Sequence, residues 1–165
     1  MLYACAKVVS HLGVAAPPHF DGYQQNKERV MHVTGACHCG QIRYEAEIDL
    51  AAVAICHCTD CQKITGSTFR VNVPAKKENF KMLAGVPKTY VKTAESGARR
   101  LQAFCEHCGT SIYATTELDQ KVFGLRVGAL DQRAQLAPQK QIWCDSAMPW
   151  LENINNLPRV AKQPA

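Results

Sequence analysis

Seven of the nine cysteines stand in three short clusters: Cys37 and Cys39 in "GACHCG", Cys56, Cys58 and Cys61 in "ICHCTDC", Cys105 and Cys108 in "FCEHCGT". No other feature restricts the possible folds as strongly, because ligands that must meet at one point tie distant parts of a chain together. A disulfide framework suits this spacing poorly. A C-x-C pair in an extended chain lies at the edge of acceptable disulfide geometry, and a strained bridge is readily reduced. Metal coordination accounts for it better. Cys5 and Cys144 stand apart, and Cys5 is given no role.

The stretch "CEHCG" has the form of a zinc knuckle, with two thiolates two residues apart and Gly109 able to take the positive φ that tightens the turn. A knuckle supplies two ligands, so a second two-cysteine element is needed. "CHCG" offers one, since alternate residues of a strand point the same way and Cys37 and Cys39 can share an ion. Cys37, Cys39, Cys105 and Cys108 then form a closed, structural zinc site.

Cys56, Cys58 and Cys61 remain for a second ion, one ligand short of four. Three protein ligands and an open position define a catalytic zinc. The alternative is a fourth ligand from His57, Cys144 or Asp60, which closes a second structural site. His57 lies between two ligands of a C-x-C and is expected to point away, while His38 and His107, interleaved in the same way, read as exposed or as hydrogen-bond donors behind the ligands. An open three-thiolate centre carries a net charge near minus one. It is a weaker Lewis acid than an all-imidazole site, so water activation is not its natural chemistry. It favours a fourth sulfur: a substrate thiol, held as thiolate and kept nucleophilic toward an electrophile.

At 165 residues and 47% hydrophobic content, the chain has material for one domain with a real core. The charge of +5 is spread along the sequence, with Lys76–Lys77 and Arg99–Arg100 the densest pairs, which reads as a solvated surface and not as a nucleic-acid groove. No stretch approaches the roughly 20 apolar residues of a membrane span. The opening "MLYACAKVVSHLGVAAPPHF" has a weak positive start, an internal His11 and no small-residue cleavage site. A cytoplasmic, reducing location is therefore expected.

Residues 1–30 carry the loop punctuation "APPHFDG" and no clear period, so they read as an extension, with the domain over 31–165. Beyond them "QIRYEAEI" alternates with period two, and strand signals follow at "VAIC", "TFRVNV", "NFKML", "KTYVK", "RLQAFC", "SIYAT", "KVFGLRVGAL" and "KQIWC". "TDCQKIT" is the one candidate for a helical turn. The fold class is mainly β, built of short strands.

"TGACHCGQIRYEAE", "CHCTDCQKITGSTF", "FCEHCGTSIY" and "GALDQ…APQKQIWCDSAMPW", in this order, resemble the glutathione-dependent formaldehyde-activating enzyme family, which includes centromere protein V. The resemblance runs from about Thr34 to Trp150. It implies a β-tent of short antiparallel sheets tied by two zinc ions, with Cys37, Cys39, Cys105 and Cys108 structural and Cys56, Cys58 and Cys61 catalytic. It also implies an S-(hydroxymethyl)glutathione synthase activity, a carbon–sulfur lyase joining glutathione to formaldehyde. Many members carry a histidine where this chain has Gln141, before Ile142 and Trp143. "TGSTF" reads equally as a cleft-lining turn in which Ser67 offers a hydroxyl near the second zinc and as an ordinary turn into the next strand. Trp143 and Trp150 read as buried packing residues in preference to an apolar wall over the site, and Asp131 is expected to fix a turn. A reading of another class is a zinc-stabilised binding module with two structural sites and a basic face for a macromolecule.

Overall fold

The computed structural model describes residues 29–163, so the expectation for an N-terminal extension falls almost wholly outside the described residues. Among the described residues, ten strands form two sheets, accompanied by one short α-helix and several 3-10 turns. The smaller sheet joins β1 (Val30–Ala36), β2 (Arg43–Asp49) and β5 (Phe80–Ala84) in the order β1-β2-β5. The larger adds β3 (Ala54–Cys56), β4 (Arg70–Lys76), β6 (Lys88–Thr93), β7 (Arg99–Phe104), β8 (Ser111–Thr116), β9 (Val122–Arg126) and β10 (Lys140–Ile142), in the order β10-β3-β4-β9-β8-β7-β6.

The strands form where hydrophobicity alternates. In β2, Tyr44, Ala46 and Ile48 are buried while Arg43, Glu47 and Asp49 are exposed, so one pleat face enters the core. The core lies between the sheets: Val33, Tyr44 and Ile48 from the small sheet meet Val73, Ile112 and Leu125 from the large one. An aromatic cluster fastens the two. Phe80 of β5 stacks on Phe123 of β9 with ring centroids 4.6 Å apart, and Tyr113 meets Phe123 edge-on at 5.0 Å. Each such pair adds about 0.5–1.5 kcal/mol beyond the area it buries.

Three features differ from the sequence reading. β1 runs through "VMHVTGA", a segment without an assigned strand, and its first residue pairs Val30 with Asp49, one residue before the expected domain start. The sheets are not wholly antiparallel, because β10 pairs with β3 in parallel. Trp143 and Trp150 are not buried: they are 54% and 52% exposed. Trp143 caps the 3-10 turn Cys144–Ser146 and Trp150 lies in the 3-10 turn Pro149–Asn156, both in the C-terminal segment that follows β10.

Gly35 marks the closest approach of backbone to core. A Cβ there would collide with the Tyr44 ring and stand 2.8 Å from the Ala129 carbonyl oxygen. Overpacking of this kind costs about 1–3 kcal/mol. We therefore expect Gly35→Ala to lower the unfolding free energy by that amount, read as a lower denaturant midpoint in a chemical unfolding curve; an unshifted midpoint would show that Tyr44 can move aside.

Candidate metal centres and the cleft

Cys37 and Cys39 lie in the turn between β1 and β2, and not on a strand as the C-x-C spacing led us to expect. The turn is a knuckle. Gly40 has φ +78° and its N–H donates to the Cys37 carbonyl at 2.9 Å, while the Ile42 N–H donates to Cys37 Sγ at 3.2 Å. "CEHCG" repeats the arrangement between β7 and β8: Gly109 has φ +73° and donates to the Cys105 carbonyl at 2.8 Å. The β1–β2 and β7–β8 turns converge, so that Cys37, Cys39, Cys105 and Cys108 bring their sulfurs within 4.8 Å of one another. The Cys37–Cys39 and Cys39–Cys105 sulfur separations are 3.4 and 3.7 Å. Tetrahedral zinc with bonds of about 2.3 Å requires edges of about 3.8 Å. The four sulfurs fit that ion. Hydrogen bonds to Thr110 come first among the causes that draw the Cys108 thiol down to about 5.

The second group, Cys56, Cys58 and Cys61, spans the end of β3 and the start of the helix α1 (Thr59–Thr65). Cys58 is the N-cap of α1, and its sulfur accepts the Cys61 N–H at 3.4 Å, which sets the two side chains toward one point. Gly66 ends the helix in the left-handed conformation. Among the described residues, no fourth histidine, cysteine or carboxylate joins these three sulfurs. All three alternatives are engaged elsewhere, Cys144 in a disulfide. His57 is buried and turned aside, with Nε2 at 2.7 Å from Gln141 Oε1, and Asp60 is ion-paired to Lys92. Gln141, at the position where many members of the resembled family carry histidine, thus holds the ring of His57. Cys56 is drawn down to about 5, chiefly by its hydrogen bond with Cys61, which is pushed up in turn: one thiol of the group ionises readily and shares its neighbour's proton.

Cys58 and Cys61 open on a cavity of about 1430 Å³ on the face of the large sheet turned away from the core. Its floor is read off the pleat. On β4, Val73 and Ala75 point inward, so Arg70, Asn72 and Pro74 point into the cleft; on β9, Gly124 and Arg126 do the same. Arg70 lies opposite Cys56 in the β3–β4 ladder, beside the three sulfurs. Burial lowers the affinity of its guanidinium for a proton, and the cysteines Cys61, Cys58 and Cys56 oppose this. Ser67 is exposed past the end of α1 and is not among the cleft-lining residues. Trp143 does line the cleft, with a left-handed backbone at φ 61°. Gln62 secures that wall by donating to the carbonyls of His57 and Ser146 at 2.7 and 2.8 Å. Asp131 accepts the Thr34 hydroxyl at 2.6 Å and so fixes the loop after β9 to β1.

Sequence reasoning missed the polar floor of Arg70, Asn72, Gln102 and Arg126. The signal available was a charged or amide residue at every second position of "RVN" and "LQA", which reads equally as a solvent face.

The fold and these sites define a two-sheet β domain with two cysteine clusters able to hold metal ions, one of them at the edge of a cleft. The chain belongs to the glutathione-dependent formaldehyde-activating enzyme family, whose sequence profile matches residues 32–146, more than half of its length. A crystal structure of a Rhodobacter sphaeroides protein has a similar fold, with a TM-score of 0.52 and 19% identity over 66% of this chain and 98% of that one. Among the described residues, no helix is long and apolar enough to cross a membrane.

Proposed function

We propose that this chain is a zinc-dependent carbon–sulfur lyase that reversibly joins a small thiol to a small aldehyde, with glutathione and formaldehyde as the pair it handles. The observation that supports this reading is the unequal division of sulfur, four donors in one group and three in the other, with the three-donor group facing the cleft. Cys37, Cys39, Cys105 and Cys108 would hold a structural zinc, and Cys56, Cys58 and Cys61 a catalytic one. When bound there, zinc supplies a soft Lewis acid that keeps a sulfur ligand ionised near neutral pH.

The protein's own groups do the rest. Cys58 and Cys61 face the cleft, so a thiol entering it arrives at the incomplete side of the sulfur group. Arg70, beside that group, offsets its negative charge. In the net reaction the thiol sulfur bonds to the carbonyl carbon, the π electrons of the C=O bond pass to oxygen, and the thiol proton ends on that oxygen as a hemithioacetal. Seven cysteines among the described residues carry free thiols, in keeping with a reducing compartment, and we place the protein in the cytoplasm.

Absorption at the zinc edge tests the reading. Seven sulfurs shared by two ions give an average of about 3.5 sulfur neighbours per zinc, rising toward about 4 on addition of glutathione. An average of about 4 without thiol, or a shell that glutathione leaves unchanged, overturns it.

A further inference from the structure

Among the described residues, no carboxylate balances the charge of the two arginines on the cleft floor. Arg70 and Arg126 are only 5% and 8% exposed, yet both donate to one neutral oxygen, Gln102 Oε1, at 3.3 and 2.8 Å. Arg126 also donates to Asn72 Oδ1. Arg70 Nε, Arg70 Nη2 and Arg126 Nε are buried and have no hydrogen-bond partner among the described residues. The cleft's Lys92 and Lys121 are neutralised by Asp60 and Asp119, but among the described residues neither arginine makes an ion pair.

Two guanidiniums on one oxygen repel each other, and a buried charge without a counter-charge is costly. Arg70 has a counter-charge nearby in the sulfur group across the β3–β4 ladder. Arg126 sits one strand further on, paired in register with Asn72, an amide that brings no charge. Cys61 and Cys56 favour its charge as well, but among the described residues its hydrogen bonds go only to the neutral amides of Asn72 and Gln102 and no anion pairs with it. A guanidinium fork matches the planar, two-oxygen geometry of a carboxylate. The neighbouring floor leaves room for the remainder of such a ligand, since Gly124 presents no side chain and a Cβ there would meet nothing closer than Ala114 O at 3.6 Å.

We propose that Arg126, held in place by Gln102 and Asn72 and reinforced by Arg70, is a carboxylate receptor, and that the thiol this cleft accepts is one bearing a carboxylate. The acid group lies over Arg126 and the sulfur toward Cys58 and Cys61. The sulfur end rests on the lyase reading given above; the carboxylate end does not.

Calorimetric titration of the full-length, zinc-loaded protein with two matched pairs tests this. S-methylglutathione against its diethyl ester probes the acid group with no free thiol, and 3-mercaptopropionate against 3-mercapto-1-propanol probes it in the smallest thiol. Each acid is expected to bind at least about tenfold more tightly than its neutral counterpart at low salt, with the advantage shrinking as salt rises. Arg126→Gln is expected to remove the advantage and Arg126→Lys to retain part of it. Equal affinities within both pairs for the wild-type protein, or no binding of either acid, overturn the proposal even if the variants fail to fold. A preference for S-methylglutathione over its ester without any thiol-dependent change at the zinc edge sustains the receptor and removes the lyase. A thiol-dependent change with equal affinities for acid and alcohol does the reverse.

Discussion

Cys105→Ser is expected to yield insoluble or protease-sensitive protein with no cooperative melting transition. Cys105 is 1% exposed and its sulfur lies 3.7 Å from Cys39, so it belongs to the four-sulfur group and to the hydrophobic core at once. Removing it leaves three donors where a closed site needs four. A structural zinc contributes on the order of 10–16 kcal/mol of folding free energy, while a whole domain is typically stable by about 5–15 kcal/mol. Loss of the site therefore matches or exceeds the entire margin. Thermal unfolding with limited proteolysis provides the measurement: a soluble variant with the wild-type transition would show that these four sulfurs do not hold a structural ion.

Cys58→Ser is expected to act differently, sparing the fold and removing the chemistry. Cys58 caps α1, and serine is among the best residues at that position, so the helix start is preserved. What changes is the three-sulfur group, which is left with two thiols and a hydroxyl. Metal analysis should fall from two ions per chain to one with little change in melting temperature, and thiol-dependent turnover should drop by about a hundredfold or more, since even changes behind metal ligands cost about 10–100-fold. Turnover equal to that of the wild type would place the reaction elsewhere on the molecule.

The contrast between these variants comes from where each cysteine sits, and only part of that was legible in the sequence. The strands were readable because a half-buried strand must alternate: Tyr44, Ala46 and Ile48 announce β2 without help from the rest of the chain. "TDCQKIT" was readable as a helical turn, and Gly66 takes the left-handed end of it. β1 was not, because its inward positions include Gly35, whose burial follows from the approach of Tyr44 and not from hydrophobicity. Cys37 and Cys39 were placed on a strand by spacing alone, whereas Gly40 bends them into a knuckle.

Trp143, expected in the core, instead lines the cleft in a left-handed conformation, because the parallel pairing of β10 with β3 carries the C-terminal segment past the three-sulfur group. Arg70 and Arg126 illustrate the same limit. Alternation says that they face away from Val73 and Leu125, but not whether that face meets water or a cleft.

The sequence by itself determined the grouping of the cysteines and the period of the strands, since short-range spacing and side-chain alternation are local properties of a chain. Only the tertiary structure decided that turns and not strands carry the four sulfurs, that Cys58 and Cys61 face a cavity, and that two arginines lie buried on its floor. Those outcomes depend on which strands pair and in what register, and pairing between distant segments is set by the packing of the whole core.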